Sequence, residues 1–176
     1  MMLAKKTLPT RHEEIDFASH LKSVSLFTDV AHAPGALEKI AELMKMRRYA
    51  PGDTIIREGE KGSEMFLLVE GSASVYKSTA ENDEYKVTIL NASHHPFFGE
   101  GALLESDARS ATIKADSECA CLVLEREPFL AFGHNYPQLA FPILLRIAKT
   151  VMNRFQKANT DLVLLYHALV SEIRGH

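Results

Sequence analysis

The sequence lacks the features that place a chain in a membrane or outside the cell. Among its 176 residues the apolar runs, such as LVLL at residues 162–165, fall far short of the roughly 20 residues that a membrane-spanning helix requires. The start, MMLAKKTLPTRHEE, turns polar at once and has no apolar core typical of a secretory signal. We therefore expect no membrane partner and a cytoplasmic location.

An excess of basic residues is also lacking. The chain has 20 Lys and Arg residues against 23 Asp and Glu residues, for a formal net charge of -3. Proteins that bind nucleic acids usually carry a surplus of Lys and Arg on one face, so we expect no nucleic acid as a partner. The hydrophobic content of 46% is sufficient for one substantial core.

Cysteine is scarce, and the spacing of the two cysteines argues against a disulfide and against a metal or redox motif. Cys119 and Cys121 are the only two cysteines. In a strand, side chains two residues apart point to the same face and lie nearly parallel, which is poor geometry for a disulfide. The pair also lacks the two-residue gap of a metal or redox motif. We predict two packed core thiols and no bound metal.

Hydrophobic spacing divides the chain into three segments. Residues 1–46 have helical periodicity, with helices expected at 15–27 and at 34–46. Residues 47–126 change to a period of two, with short β-rich runs separated by glycine-containing turns. No long helix separates these runs, so the pattern predicts an all-β sandwich or jelly roll. Residues 127–176 are helical again.

The third segment contains a long helix that starts between residues 137 and 143. Along it, residues recur at alternating steps of three and four, as in a heptad repeat. Such a seam favours pairing with a second copy of the chain, although the same stripe is also compatible with packing on the protein's own strands. The seam residues are Leu145, Ala148, Met152, Phe155, Asn159, Leu162, Tyr166 and Leu169.

Residues 97–112, FFGEGALLESDARSAT, carry the most informative chemistry. Gly99 and Gly101 allow the backbone to approach a ligand, and the helical turn that they open offers unpaired N–H groups to an anion. Glu100 requires a hydroxyl donor, such as a ribose 2′-OH, whereas Arg109 suits phosphate oxygens. The pattern predicts a site for a sugar phosphate. An alternative is a capped turn in which Glu100 and Arg109 pair with each other.

The same stretch resembles the phosphate-binding cassette of cyclic nucleotide-binding domains. The family pattern is approximately F-G-E-x-A-L-x, a few residues, then P-R-[AST]-A-T, and the spacing from Glu to Arg agrees. RRYAPGDTIIREGEKGSEMFLLVEGSASVY also resembles the first half of that family's barrel. The resemblance covers roughly residues 20–155. It implies a mainly β fold with flanking helices: a β jelly-roll barrel (double-stranded β-helix) with N-terminal helices, a short cassette helix and a long C-terminal helix.

The resemblance also implies residue roles. Glu100 is expected to accept the ribose 2′-OH, and Arg109 to pair with the exocyclic oxygens of the cyclic phosphate. Thr112 and Ala111 are expected to hold the strand that follows. Backbone N–H groups are expected to complete the phosphate cradle; they lie near Gly99, Gly101 and Ala102, and at Ser110 or Ala111.

Two departures from the family pattern bear on affinity, and one position bears on the base. Gly101 stands where the family usually has Leu, Ile or Met, and Ala108 replaces the common proline before arginine. Neither removes a ligand-contacting group, but both are expected to lower affinity. Ser110 follows the arginine, where threonine favours cGMP in the family. Because relatives with serine include cAMP binders, we favour cAMP over cGMP as the ligand.

The C-terminal helix resembles the dimerisation helix of the bacterial catabolite activator family. That resemblance implies a homodimer in which Asn159 lies at the level of the base; a buried polar residue that sets the register of the seam is a compatible alternative. In that family a winged helix-turn-helix follows. The chain stops at His176, so we expect no DNA-binding domain and an output through an unknown protein effector.

Three other functions compete with that of a non-enzymatic sensor without a cofactor. A ligand-free structural module that dimerises and recruits a partner stays open, as does a cyclic dinucleotide sensor, which needs a wider pocket and a second guanidinium. A cupin-type metal oxygenase using His94, His95 and Glu100 is disfavoured. Adjacent histidines on a strand point to opposite faces, so they are unsuited to one metal; we expect both in an exposed loop.

Overall fold

The computed structural model describes residues 16–79, 81, 83–105 and 108–174, so the part of the predicted N-terminal segment at residues 1–15 lies outside the described residues. Five α-helices are present in this part of the chain: α1 (Phe17–Leu21), α2 (Ala36–Ala41), α3 (Gly101–Leu104), α4 (Arg126–Asn135) and α5 (Pro137–Arg174). Two 3-10 turns accompany them, at Ser25–Phe27 and Ala92–His94.

Eight strands form two four-stranded antiparallel sheets. The strands are β1 (Met44–Tyr49), β2 (Thr54–Ile56), β3 (Glu64–Glu70), β4 (Ser72–Ser78), β5 (Glu84–Asn91), β6 (Phe97–Phe98), β7 (Thr112–Ala115) and β8 (Cys119–Glu125). The first sheet has the order β1-β8-β3-β6, and the second sheet has the order β2-β7-β4-β5. The predicted class, mainly β with flanking helices and a long C-terminal helix, is confirmed. The described strands form two sheets, which match a jelly roll, and no closed barrel is defined by them.

The helices, the first sheet and the second sheet form three layers. The central strands of the first sheet, β3 and β8, pack one face on the helices and the other face on the second sheet. On β3, Met65 and Leu67 join the helices in one core cluster, while Phe66 and Leu68 face the second sheet in another. A strand buried on both sides is continuously apolar instead of alternating. This is why EMFLLVE and CACLVLE read as short apolar runs in the sequence.

The two cysteines lie on β8, and both point into the core between the sheets. Cys119 and Cys121 are buried and free, as predicted from their spacing. Burial, with a smaller contribution from Cys119, raises the pKa of the Cys121 thiol to about 12. A thiol with so high a pKa is protonated near neutral pH and is a poor nucleophile.

The N-terminal helices are shorter than their periodicity predicted. Instead of one helix over residues 15–27, α1 ends at Leu21 and an extended Val24 precedes a 3-10 turn. The helix expected through Met46 ends at Ala41, and β1 begins at Met44. Every residue of β1 pairs with β8, from Met44 with Leu124 to Tyr49 with Cys119, and this pairing overrides the local helical pattern. The division into three segments itself stays a prediction.

Helix α5 begins at Pro137, within the predicted range, and consists of two parts. Its first turns pack on the core through Ile143 and Ile147, and the side chain of Arg146 donates two hydrogen bonds to the carboxylate of Asp29, at 2.7 and 2.8 Å. From Val151 onward its described side chains are nearly all exposed. No helix in the described ranges combines the length and the hydropathy that crossing a membrane demands.

The predicted seam of α5 lies in the exposed part. Leu162 and Tyr166 are 65% and 63% exposed, and the neighbouring seam residues Met152, Phe155 and Leu169 are also more than half exposed. The alternative that this stripe packs on the protein's own strands is therefore wrong for these residues. The face that does pack on the core lies roughly 100° away around the helix, given 3.6 residues per turn.

Candidate functional site

A cavity of about 470 Å³ opens between the second sheet, the predicted cassette and α5. Its apolar walls come mainly from the sheets: Ile56, Val75, Val87, Leu90, Phe97, Phe98 and Ile113. Its polar atoms come from the cassette and from two basic side chains of α5: Gly99, Arg109, Ser110, Arg154 and Lys157. A partly apolar pocket with a few convergent polar groups is the usual form of a small-molecule site.

Glycine is required at position 99 and not at position 101. Gly99 follows β6 with φ +71°, in the left-handed region, and a Cβ there would lie 2.9 Å from Nη1 of Arg109. Gly101, the first residue of α3, has no atom within 4 Å of where its Cβ would lie. A Cβ at position 101 would therefore meet no other atom, and the backbone there does not require glycine.

Arg109 is held in place by its backbone and by its guanidinium. Its N–H donates to the carbonyl of Glu60 at 2.9 Å, and its carbonyl accepts from the N–H of Gly59 at 2.9 Å. The guanidinium is half-buried, donates through Nη1 to the carbonyl of Gly99 at 3.2 Å, and lies 5.9 Å from the ring centroid of Phe66. The side chain is thus fixed against the cavity wall before any ligand arrives.

The charge of Arg109 has little direct compensation. Burial lowers the pKa of its guanidinium, and the negative charges of Glu64 and Glu100 oppose that shift. A guanidinium nevertheless stays charged throughout the physiological range. A half-buried cation whose pKa is lowered by burial gains from an anion placed beside it, since an opposite charge favours its charged form.

Glu100 is the most buried charged residue of the site, with 4% of its surface exposed. Its Oε1 accepts a hydrogen bond from Nη1 of Arg154, and the alternative that Glu100 pairs with Arg109 is wrong. Its Oε2 is buried and has no hydrogen-bond partner within the described part of the chain. Leaving such an acceptor unsatisfied costs about 1–3 kcal/mol. A ligand hydroxyl donating to Oε2 would remove that cost.

The structure brings most of the remaining predicted residues to the same place. Ser110 and Ala111 line the main cavity, and Ala102, with Gly101, lines an adjoining cavity of about 330 Å³ that shares Gly99 and Arg109 with it. The hydroxyl of Thr112 accepts from the backbone N–H of Glu58 at 3.0 Å, which anchors the following strand.

Asn159 and the two histidines lie elsewhere. Asn159 is exposed on α5 and is absent from the lining of both cavities, so its contact with a base stays a prediction. His94 ends a 3-10 turn and is exposed, as predicted, whereas His95, which caps the turn with φ 49°, is half-buried, so the expectation of an exposed position is wrong for His95. The ring of His95 lies 5.1 Å from that of His20, edge to face.

Three residues that the sequence did not single out belong to the site. Gly62 lies against the guanidinium of Arg109, and Arg154 and Lys157 reach the cavity from α5. A signal for the two basic residues exists: Ile143, Ile147, Arg154 and Lys157 share one helical face, distinct from the seam, and that face turns from apolar to basic where α5 leaves the core.

Gly62→Ala is expected to weaken ligand binding about tenfold, the loss expected when a hydrogen bond to a charged group is weakened. A Cβ at position 62 would lie 2.4, 2.5 and 2.6 Å from Nε, Nη2 and Cζ of Arg109, so the flexible guanidinium must shift. Gly133→Ala in α4 is the matched control, because its Cβ would meet Ala140 at an ordinary 3.4 Å. Calorimetry and thermal melting test this: unchanged affinity in Gly62→Ala with intact folding would contradict the role given to Gly62.

The fold and the cavity define a class of binding domain. A fixed guanidinium and a glycine turn line one cavity, and a buried carboxylate with one free oxygen accepts a hydrogen bond from Arg154, which lines the same cavity. Residues 46–136 match the family model described as "Cyclic nucleotide-binding domain". The match covers half of the chain, and the chain belongs to the cyclic nucleotide-binding domain family.

Relatives and solved structures agree with this assignment. The chain is 38% identical over 128 residues to cGMP-dependent protein kinase 2 of Mus musculus, which covers 72% of this chain and only 16% of the kinase. The crystal structure of Thermus thermophilus catabolite activator protein aligns with a TM-score of 0.69 at 26% identity, over 80% of this chain and 62% of that one. The regulatory domain of Toxoplasma gondii PKA with cAMP aligns with a TM-score of 0.65 at 25% identity, over 78% and 49%.

Proposed function

We propose that the protein is a sensor that binds one cyclic mononucleotide in the cavity between the cassette and α5. Two observations carry the proposal together: Oε2 of Glu100 is buried and free while Oε1 binds Arg154 of the cavity lining, and the guanidinium of Arg109 is fixed in the same lining. Glu100 accepts the ribose 2′-OH, and Arg109 with backbone N–H groups of the cassette binds the cyclic phosphate. The apolar wall receives the base. The sensor needs no cofactor and catalyses no reaction.

The names of the relatives point to both cAMP and cGMP as ligands. The kinase from mouse is named as cGMP-dependent, whereas the Toxoplasma domain was solved with cAMP. The preference for cAMP over cGMP that Ser110 suggested therefore stays a prediction at this level. A cyclic dinucleotide stays a weaker candidate: Arg154 supplies a second guanidinium, but Glu100 already holds it.

The contact between Glu100 and Arg154 supplies a route from the ligand to α5. Arg154 lies on the exposed part of the helix, about two turns beyond the Arg146–Asp29 contact that ties α5 to the N-terminal region. A ligand that favours one position of Glu100 also favours one position of α5, which is a population shift. The output passes through α5 to a partner protein.

Isothermal titration of the full chain with cAMP and cGMP tests this function. Saturable binding of one nucleotide per chain supports the sensor, whereas no binding of either at millimolar concentration favours the alternative of a ligand-free structural module. Adding a cyclic dinucleotide to the panel tests that candidate as well. Tighter binding of the dinucleotide than of both mononucleotides would replace the proposed ligand.

The exposed seam of α5 is proposed to pair with the seam of a second copy. Phe155, Leu162, Tyr166 and Leu169 lie on one face of the helix and are all more than half exposed. Apolar side chains at heptad spacing on an otherwise solvated helix are stabilised by burying them in a coiled coil. In such a dimer the base would also be within reach of the partner's helix, where Asn159 was predicted to act.

The double change Leu162→Asp and Leu169→Asp is expected to convert a dimer into a monomer, because it places two charges in the seam of each helix. Leu164→Asp is the matched control: Leu164 is equally exposed but lies roughly 160° from Leu162 around the helix. Sedimentation velocity measures the outcome. A monomeric wild-type chain, or a double variant that remains dimeric, would contradict the proposed dimer.

A further inference from the structure

One basic side chain of the cavity, Lys157, has no acidic partner among the described residues. Three basic side chains line it, Arg109, Arg154 and Lys157, and no acidic residue of the described chain is part of its lining. Arg154 is matched by Glu100. Arg109 is assigned to the cyclic phosphate, which carries one negative charge. If these assignments hold, which rests on the proposed function, the ammonium of Lys157 is the one basic group in the described lining of the cavity that remains to contact another part of the ligand.

Lys157 lies beyond the ribose level of the site. It follows Arg154 by three residues on α5, a rise of about 4.5 Å at 1.5 Å per residue. Arg154 marks the level of Glu100 and hence of the ribose. Among the described residues Lys157 has no ion-pair partner, and its side chain is exposed at the mouth of the cavity. The part of the ligand that remains for Lys157 to contact is the base, which packs against the apolar wall formed by Val75, Val87 and Leu90.

We infer that Lys157 selects a 6-oxopurine cyclic nucleotide, with guanine or hypoxanthine as base, over the 6-aminopurine cAMP. An ammonium has three donors and no acceptor. Guanine presents two neighbouring acceptors on one edge, O6 and N7, and can receive two of these donors. Adenine presents N7 beside the N6 amino group, so the ammonium faces another donor and loses one hydrogen bond.

This inference reverses the base preference that Ser110 suggested. Ser110 concerns a different edge of the base, the 2-amino group of guanine, which hypoxanthine lacks. The two residues can therefore be separated with three ligands: cAMP, cGMP and the cyclic monophosphate of inosine. A gap between the inosine and adenosine ligands reports on position 6, where Lys157 acts. A gap between the guanosine and inosine ligands reports on the 2-amino group and Ser110.

The test measures the dissociation constants of the three ligands for the full chain and for three variants. We expect the wild type to bind the inosine ligand about tenfold more tightly than cAMP, within the range of discrimination found for such base contacts. Lys157→Met retains an apolar stem and is expected to bring that ratio close to one. Lys157→Glu supplies an acceptor for the N6 amino group and is expected to make cAMP the tighter ligand. Lys149→Met, on the same helix but outside the cavity lining, is the control and is expected to keep the wild-type ratio.

The outcomes separate this inference from the proposed function. Failure of all three ligands to bind the wild type would overturn the function itself. Binding with cAMP equal to or tighter than the inosine ligand would overturn only the role of Lys157, as would an unchanged ratio in Lys157→Met. Because Lys157 is exposed, its substitution does not disturb the core, and a melting curve that matches the wild type confirms that each variant is folded.

Discussion

Arg109→Ala is expected to weaken the binding of any cyclic mononucleotide by roughly 10- to 150-fold, which corresponds to the 1.5–3 kcal/mol of a hydrogen bond to a charged group. The guanidinium is half-buried and already held by the carbonyl of Gly99, so little conformational freedom is lost when the phosphate binds. Alanine removes both the charge and the donors from the phosphate end of the cavity. Calorimetric titration of the variant measures the change.

Two companion variants separate the loss of charge from a loss of folding. Arg109→Lys keeps the charge but not the planar fork, and an affinity between those of the wild type and Arg109→Ala is expected. Arg48→Ala removes an exposed arginine whose guanidinium bonds Glu70 at the end of β3, and it is expected to leave affinity unchanged. Wild-type affinity in a folded Arg109→Ala protein would show that the phosphate is bound elsewhere.

Glu100→Ala is expected to weaken cyclic nucleotide binding by a similar factor, roughly 10- to 150-fold, through the loss of the ribose hydroxyl's acceptor. The prediction is sharper when the ligand is changed as well. A 2′-deoxy cyclic nucleotide lacks the hydroxyl, so the wild type should bind it as weakly as the variant binds the normal ligand. The Glu100→Ala protein should not distinguish the two ligands, since the contact is absent in both cases.

This cycle isolates the contact, because a change in folding affects both ligands alike. Glu70→Ala is the matched control for removing a carboxylate from an ion pair with arginine, and it is expected to keep the wild-type discrimination. An undiminished preference of Glu100→Ala for the 2′-hydroxyl ligand would remove Glu100 from the ribose site. The free Oε2 would then need another explanation.

The strands and the cassette could be predicted from sequence because their signals are local. Glycine turns separate apolar runs in residues 47–126, and the distance from Glu100 to Arg109 is a property of the chain alone. What could not be predicted is which partner each charge takes. Glu100 pairs with Arg154, which is 54 residues away in sequence, and that pairing depends on where α5 crosses the cavity.

The misplaced boundaries have a similar cause. Leu43 and Met44 continue the helical spacing of α2, yet Met44 begins β1, where it pairs with Leu124 of β8. That partner lies far along the chain, so local periodicity carries no sign of the pairing. Helical periodicity reports that a residue is buried, and both conformations bury Met44. Likewise the seam of α5 was visible from its spacing, but only the structure shows that the sheets leave it exposed.

The central claim is that a cyclic mononucleotide binds between the cassette and α5 and draws the two together. Hydrogen exchange of the full chain, with and without a saturating nucleotide, tests it most directly. We expect slower exchange on binding in residues 97–112 and in α5 around residues 150–160, with little change in α2. Binding without protection of the cassette would contradict the assigned site, and protection of the cassette without α5 would contradict the relay.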